Sequence, residues 1–300
     1  MFFLLGPTAV GKSEIAVEVA LRMGAEIVGA DAFQIYAGLE LLTAGPDAET
    51  RAKVPHHLIG EIGIGEAFDA ARYRELALAR IREIEGRGRR AMVVGGTGLY
   101  ARALMHGLSD MPGSDETVRE ELAGMTLAAL QEKYAVLDPV GMERIDRHNR
   151  RRLVRAIEVS ILAGKPFSSL RTDWSGESRP APVVAGVVLD REREELHARI
   201  DARVTWMFEH GVIEEVERAG EAGATAAQAI GYGEIRAHLA GTVSLEECMS
   251  AIARRTRRYA KRQLTWLRRE DNLLIIRLTH QSHSEVINAI AERMAEAGRT

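Results

Sequence analysis

Eight residues near the start of the chain, Gly6-Pro7-Thr8-Ala9-Val10-Gly11-Lys12-Ser13, fit the spacing G-x-x-x-x-G-K-[ST]. Each residue type has a physical use there. Gly6 and Gly11 let the backbone curl, so that several N–H groups converge on one anion. A helix beginning at the loop adds partial positive charge. Lys12 brings a full charge, and the Ser13 hydroxyl suits a Mg²⁺ that bridges phosphate oxygens. The flanks agree: Phe2-Phe3-Leu4-Leu5 reads as a buried strand, and Ile15, Ala16, Val19 and Ala20 recur at helical spacing. The loop therefore binds a phosphate or diphosphate without saying which molecule carries it.

Further chemistry-bearing residues follow at what would be strand ends. A short strand over 26–29 delivers Asp31, whose carboxylate suits proton abstraction or metal binding, or else caps a helix. The stretch Asp31-Ala32-Phe33-Gln34-Ile35-Tyr36 adds an amide and two aromatic rings. A second apolar strand, 91–94, runs into Gly95-Gly96-Thr97-Gly98-Leu99-Tyr100, where glycines permit close approach of a ligand and Thr97 offers a hydroxyl. Two basic tracts stand out. Arg144, Arg147, Arg150, Arg151, Arg152 and Arg155 face only Asp146 in their stretch. Arg254, Arg255, Arg257, Arg258, Lys261, Arg262, Arg268 and Arg269 have no acid among them. Arg254, Arg258 and Arg262 share a helix face, with Tyr259 and Trp266 interleaved, a composition suited to nucleic acid or polyphosphate. No acid is evident at the end of a later core strand.

These groups need an α/β scaffold. Helix signals run from the phosphate loop to Met23, stopping at Gly24, and over 68–85 with Tyr73, Leu76, Ala77, Ile81 and Ile84 on one stripe. Residues 55–59 enter another strand; His56 and His57, pointing opposite ways on it, make a poor metal pair, one packed and one hydrogen-bonded. From about 115 strand signals vanish, and short helical patterns cover 116–122, 127–134, 140–145 and 151–162. A polar linker spans Trp174 to Pro182, a strand 183–189, and helices 192–208, 212–217 and 245–269. A strand at 273–277 and a helix at 285–295 complete the chain. The expected division is a core over 1–114, a helical insertion over 115–180 and a second core segment over 181–300.

Composition limits the alternatives. The chain has 300 residues, 46% hydrophobic and 28% charged, as in a globular protein of one large or two modest domains. A net charge of −3 confines any nucleic-acid surface to a local patch. Cys248 is the single cysteine, so neither a disulfide framework nor a Cys-based zinc site is expected. The apolar start stops at Gly6-Pro7, too short for a signal peptide or membrane span, and a cytoplasmic protein without membrane attachment is expected.

Taken together, the blocks at 6–13, 31–36, 54–59, 95–100, 151–159 (RRLVRAIEV), 229–234 (AIGYGE) and 256–268 (TRRYAKRQLTWLR) resemble the tRNA dimethylallyltransferase (tRNA isopentenyltransferase) family in order and spacing. The resemblance implies a P-loop NTPase-like parallel-sheet core bearing an all-helical insertion, with tRNA held between them. It implies transfer of a dimethylallyl group from dimethylallyl diphosphate to N6 of the adenosine 3′ of the anticodon, with Mg²⁺ as cofactor; a monomer is the default expectation. Gly6, Pro7, Thr8, Ala9, Val10, Gly11, Lys12 and Ser13 would hold the diphosphate, with Ser13 on the metal. Asp31 would take the N6 proton, with Lys12, Thr97 and Arg257 completing the catalytic set. Contacts to the tRNA anticodon stem-loop would come from Asp31, Ala32, Phe33, Gln34, Thr97, Arg151, Arg152, Leu153, Val154, Arg155, Ile230, Gly231, Tyr232, Lys261, Arg262, Gln263, Trp266 and Arg268. The chain departs from the family pattern at Ala32-Phe33, where Ser-Met is usual, at Gly45, where Lys is common, and at Asp146-Arg147-His148-Asn149, where the family has His-Pro-Asn-Asp. It also lacks the zinc finger of eukaryotic relatives. The residues leave open a transferase acting on free adenylate, a small-molecule kinase and an RNA-binding NTPase switch.

Overall fold

The computed structural model describes residues 1–109, 111–170, 184–270 and 272–298. The linker expected at Trp174 to Pro182 lies outside them. Two compact units emerge: one takes in Met1–His106 and Ala181–Thr300, the other Gly107–Pro180, which begins earlier than the 115 read from the sequence.

In the larger unit, β1 (Phe2–Leu5), β2 (Ala25–Ala30), β3 (His56–His57), β4 (Arg90–Gly95), β5 (Gly186–Asp190) and β6 (Leu274–Arg277) form one sheet in the order β3-β2-β4-β1-β5-β6. Every pairing is parallel. The central strands are apolar on both faces, as a covered parallel sheet requires. Phe3 and Leu5 pack on one side with Val28, Tyr73 and Val93, while Phe2 and Leu4 pack on the other with Ile15, Met92 and Val187. The crossover helices of the first half are α1 (Lys12–Met23), α2 (Ala48–Lys53), α3 (Ala70–Gly86) and α4 (Gly98–His106). Helix α1 ends where Gly24 adopts a left-handed conformation, φ 62°, and its N–H bonds to the Ala20 carbonyl.

The smaller unit is helical: α5 (Glu116–Ala123), α6 (Leu127–Leu137), α7 (Pro139–Arg144), α8 (Arg150–Ala163) and α9 (Phe167–Leu170), the last a short turn absent from the sequence reading. Leu122, Leu130, Tyr134, Leu153 and Ile157 close its core. Glu158 is fully buried beside that core. It accepts from Arg155, from the Asp115 backbone N–H and from Arg119; against the cost of burial, these bonds hold its carboxyl below the usual range. Part of the first basic tract is thus spent on the unit's own stability.

The larger unit continues with α10 (Arg193–Glu209), α11 (Val212–Ala219), α12 (Tyr232–Leu239), α13 (Leu245–Leu267) and α14 (His283–Ala297). Among the described residues no helix is long and apolar enough to cross a membrane. Because all strands run parallel, their carboxyl ends share one edge. The phosphate loop, Asp31, the loop at 95–98 and Asp190 all emerge there. Asp190 corrects the expectation that no later strand ends in an acid: it closes β5 and is buried, accepting from Arg268 at 2.8 Å and from the Arg191 N–H at 2.9 Å.

Candidate active site

The phosphate loop curls through two left-handed residues, Ala9 (φ 64°) and Gly11 (φ 102°), before α1 begins at Lys12. The Lys12 ammonium donates to the Pro7 carbonyl at 2.7 Å, folding back across its own loop. Desolvation pushes it down to about 8, with Asp31 pulling it up and Arg203 pushing it further down. Three arginines from the chain segment after β5 close over the loop. Arg191 Nε donates to Val10 O at 2.8 Å, Arg199 Nε to Ala9 O at 2.9 Å, and Arg203 Nη1 to Thr8 Oγ1 at 2.8 Å. A Cβ on Gly11 would lie 3.6 Å from Arg199 and 3.7 Å from Arg191. Arg203 is desolvated enough to lower its pKa, with Asp31 opposing, and its Nε has no partner. Lys12 and Arg203 are thus two half-buried, desolvated cations with mainly neutral partners, an arrangement that calls for an anion.

Asp31 stands across from them. Its Oδ1 accepts from the N–H groups of Phe33 (3.0 Å) and Gln34 (3.4 Å), which fixes the turn after β2. Its other oxygen has no hydrogen-bond partner among the described residues and remains available to a ligand. Thr97 holds the same turn: its Oγ1 accepts from Ala32 N–H at 3.0 Å, and its own N–H donates to Ala30 O at 3.2 Å. A narrow pocket connects Asp31, Thr8 and Arg203 at its polar end with Phe33, Val204, Met207 and Ile252 along an apolar wall. Tyr259 lines it too, and burial, with Asp31 nearby, pushes its phenol well above the usual range. A diphosphate carrying a short apolar chain matches this division into cationic and greasy halves.

The glycines at 95–98 serve packing more than ligand approach. A Cβ at Gly95 would meet Ala30 O at 2.2 Å, at Gly96 the Gln263 amide at 2.3 Å, and at Gly98 the Trp266 ring at 2.5 Å. They let β2 and α13 press against the loop that carries Thr97.

The profile described as "IPP transferase" matches residues 34–270 of the chain. The chain belongs to the IPP transferase family. Curated relatives include the tRNA dimethylallyltransferase of Geobacter sulfurreducens, 42% identical over 278 residues that cover 90% of this chain and 89% of the relative. That of Akkermansia muciniphila is 40% identical and covers 98% of each. Among solved structures, the full-length tRNA isopentenylpyrophosphate transferase of Bacillus halodurans superposes with a TM-score of 0.71 at 36% identity, over 99% of this chain and 97% of that one. The fold also matches that of a eukaryotic dimethylallyltransferase acting on tRNA, with a TM-score of 0.77 at 23% identity over 98% of this chain and 77% of the other.

In this IPP transferase family member the residues expected from the sequence fall into three groups. Asp31, Phe33 and Ile230 line the pocket, Lys12 and Ser13 open α1 at the end of the loop that supplies Thr8, and Thr97 holds the turn that carries Asp31. Ser13 is exposed at the start of α1, and its hydroxyl has no partner among the described residues. Several others have structural duties instead. Gln263 is buried, accepting from Thr8 N–H and donating to Gly96 O, both at 2.9 Å. Leu153 is core, and Arg155 is engaged by Glu158, Pro112 O and Gly113 O. The Gln34 amide holds the Thr43 and Ala44 carbonyls. Gly231 sits with φ 103° against Leu42, and the Tyr232 hydroxyl donates to Gly220 O and accepts from Ala222 N–H. Trp266 lies under Arg102, 4.2 Å from ring centroid to guanidinium. Arg257 pairs with Asp201 rather than with the phosphate loop, where Arg203 stands instead. A third group is exposed: Arg151 and Arg152 on α8, with Val154 half-buried next to them, and Lys261 and Arg262 on α13. The His residues at 56 and 57 are both hydrogen-bonded, to Val54 O and to Glu26, so neither is merely packed.

The second basic tract borders a cleft of about 840 Å³ between the first half of α10 and α13. Arg255, Arg257 and Arg268 are paired with Glu234, Asp201 and Asp190, acids remote in sequence. Arg254, Arg258 and Lys261 are exposed on that cleft with no ion-pair partner among the described residues.

Proposed function

We propose that this chain is a tRNA dimethylallyltransferase, transferring the dimethylallyl group of dimethylallyl diphosphate to N6 of the adenosine 3′ of the anticodon. The observation that carries the reading is the pairing, in one narrow pocket, of a cationic phosphate cradle with a carboxylate oxygen that has no other partner. The amine nitrogen attacks the allylic carbon, the carbon–oxygen bond breaks, and diphosphate departs into the cradle. Backbone N–H groups, Lys12 and Arg203 stabilise the charge that develops on the leaving oxygen. Asp31 accepts the proton that the nitrogen sheds as it becomes bonded to carbon. The apolar wall of Phe33, Val204, Met207 and Ile252 holds the prenyl chain and keeps water from the allylic carbon.

Mg²⁺ fits the residues present: the Ser13 hydroxyl, exposed at the start of α1 with no partner among the described residues, is a hard oxygen donor. When bound, the ion would neutralise diphosphate charge, with Ser13 as its protein ligand. The adenine must leave its stack to enter so narrow a pocket, as enzymes that act on a base require. The reading takes the protein as a cytoplasmic monomer. Its test is incubation with labelled dimethylallyl diphosphate and either tRNA or AMP. Label in tRNA supports it; label in AMP alone reassigns the protein to free nucleotides; label in neither ends it.

The exposed cations give a salt signature. Changing Arg254, Arg258 and Lys261 to Gln should weaken tRNA binding and flatten the slope of log affinity against log salt by about 2–3. Filter binding between 50 and 200 mM salt measures it, and an unchanged slope would show the tract to be only solvated.

Lys12 gives a pH signature. Its ammonium is at about 8 without ligand, and a bound diphosphate would raise it. The charged form binds, so affinity should be full below pH 8 and fall by roughly tenfold per pH unit above it. Titration with an unreactive prenyl diphosphate analogue from pH 7 to 9.5 checks this; Lys12→Met should bind weakly with a flat profile.

A further inference from the structure

Helix α13 runs behind both loops of the pocket and joins them through Gln263 and Tyr259, one turn apart. The Gln263 amide has a fixed sense, because a backbone N–H can only donate and a carbonyl can only accept. Its Oε1 takes the Thr8 N–H and its Nε2 gives one hydrogen to Gly96 O, both at 2.9 Å. One hydrogen remains on Nε2, and the Gln263 side chain also interacts with the Tyr259 hydroxyl. The Tyr259 hydroxyl also lies 3.5 Å from Thr97 Oγ1, where either oxygen could be the donor. Burial keeps that phenol neutral and therefore able to donate. Thr97 Oγ1 already accepts from Ala32 N–H at 3.0 Å. With Tyr259 as the donor, both acceptor positions of Thr97 Oγ1 are engaged and its own hydrogen is left for whatever binds beside Asp31.

We infer that Tyr259, oriented by Gln263, is a positioning residue that fixes Thr97 as a hydrogen-bond donor, so that Asp31 and Thr97 together read the amine and the adjoining ring nitrogen of adenine. The pairing follows from the base: its exocyclic amine offers a donor flanked by ring acceptors, N1 on one side and N7 on the other. Asp31 supplies the acceptor and Thr97 the donor of a complementary pair. An acceptor-only site would take any amine; this one rejects an amine without a neighbouring lone pair, because the Thr97 hydrogen would then be left unmatched. Gln263 also accepts from the Thr8 N–H, in the loop that holds the leaving group, so α13 ties the cradle to the acceptor site.

The inference rests on the proposed transfer to adenine and is tested separately from it. The probes are anticodon stem-loop RNAs carrying adenosine, 1-deazaadenosine or 7-deazaadenosine at the acceptor position, assayed for transfer by wild type, Tyr259→Phe, Thr97→Val and the double variant. Wild type should prefer adenosine over one of the two deaza RNAs by about tenfold. In Tyr259→Phe that ratio should shrink to about twofold, and adding Tyr259→Phe to Thr97→Val should change nothing further. The ratio is internal to each folded enzyme, so loss of active protein does not move it. A wild-type ratio retained in Tyr259→Phe, or a wild type indifferent to both deaza bases, would overturn the inference while leaving the transferase reading intact. No transfer to any RNA by wild type would overturn both.

Discussion

Asp31→Asn should lower single-turnover transfer by about three orders of magnitude while leaving tRNA affinity within about twofold of wild type. Asparagine is the informative replacement because Asp31 has two separate jobs. Its Oδ1 accepts from the Phe33 and Gln34 N–H groups and so shapes the turn that also carries Ala32 and the pocket wall. An asparagine carbonyl keeps that acceptor. The other oxygen is the one with nothing bound, and an amide nitrogen there cannot take a proton from the attacking amine. The aromatic amine of adenine is a weak nucleophile, and its nitrogen becomes cationic as it bonds to carbon, so a base in contact with it matters most in the transition state. The loss should therefore fall on turnover rather than on the Michaelis constant. Asp31→Ala should add a second effect, since the turn loses its anchor, and RNA binding should drop with it. If Asp31→Asn retains transfer within tenfold of wild type, the carboxylate shapes the turn and another group takes the proton.

Much of the scaffold was legible because parallel strands impose a rule that does not need the topology. Whatever their order, strands read at 2–5, 26–29 and 91–94 deliver their following loops to one edge, so the phosphate loop, Asp31 and Thr97 could be placed together from periodicity alone. What crosses from elsewhere was not legible. Helix α10 was read for its apolar stripe of Leu196, Ile200, Val204 and Met207, which the structure buries. Arg199 and Arg203 lie beside that stripe, and nothing local states that this face passes over a loop 190 or more residues earlier. A run of arginines likewise conceals its pairing, because Glu234, Asp201 and Asp190 neutralise three of them from other elements. The burial of Gln263 did have a signal in the sequence. Ile252, Thr256, Ala260, Gln263 and Leu267 recur at helical spacing, and all are buried. Polar residues on an otherwise apolar stripe must find buried partners, and Gln263 finds them in Thr8 and Gly96.

Arg203→Met should reduce turnover by about 10²–10³-fold, equivalent to about 2.7–4 kcal/mol of transition-state stabilisation, yet leave the ligand-free protein no less stable. The two halves of this expectation share one cause. The guanidinium is desolvated and, without substrate, has the neutral Thr8 hydroxyl for a partner and an Nε with none, with Asp31 as its opposing charge. Such a cation costs folding free energy, which the shorter, unbranched and apolar thioether of methionine does not. Once diphosphate forms, the balance inverts: charge builds on the leaving oxygen within a desolvated cradle, where a fixed cation acts far more strongly than in water. Lys12 cannot substitute, because it approaches from the Pro7 side of the loop, whereas Arg203 reaches the loop from α10 through Thr8. The measurement is single-turnover kinetics beside thermal melting with and without a prenyl diphosphate analogue. Wild type should gain more in melting temperature from the analogue than the variant does, and the apo variant should melt at or above the wild-type temperature. Apo melting lower by more than about 3 °C would assign Arg203 to the fold, and turnover within tenfold of wild type would remove it from the leaving-group site.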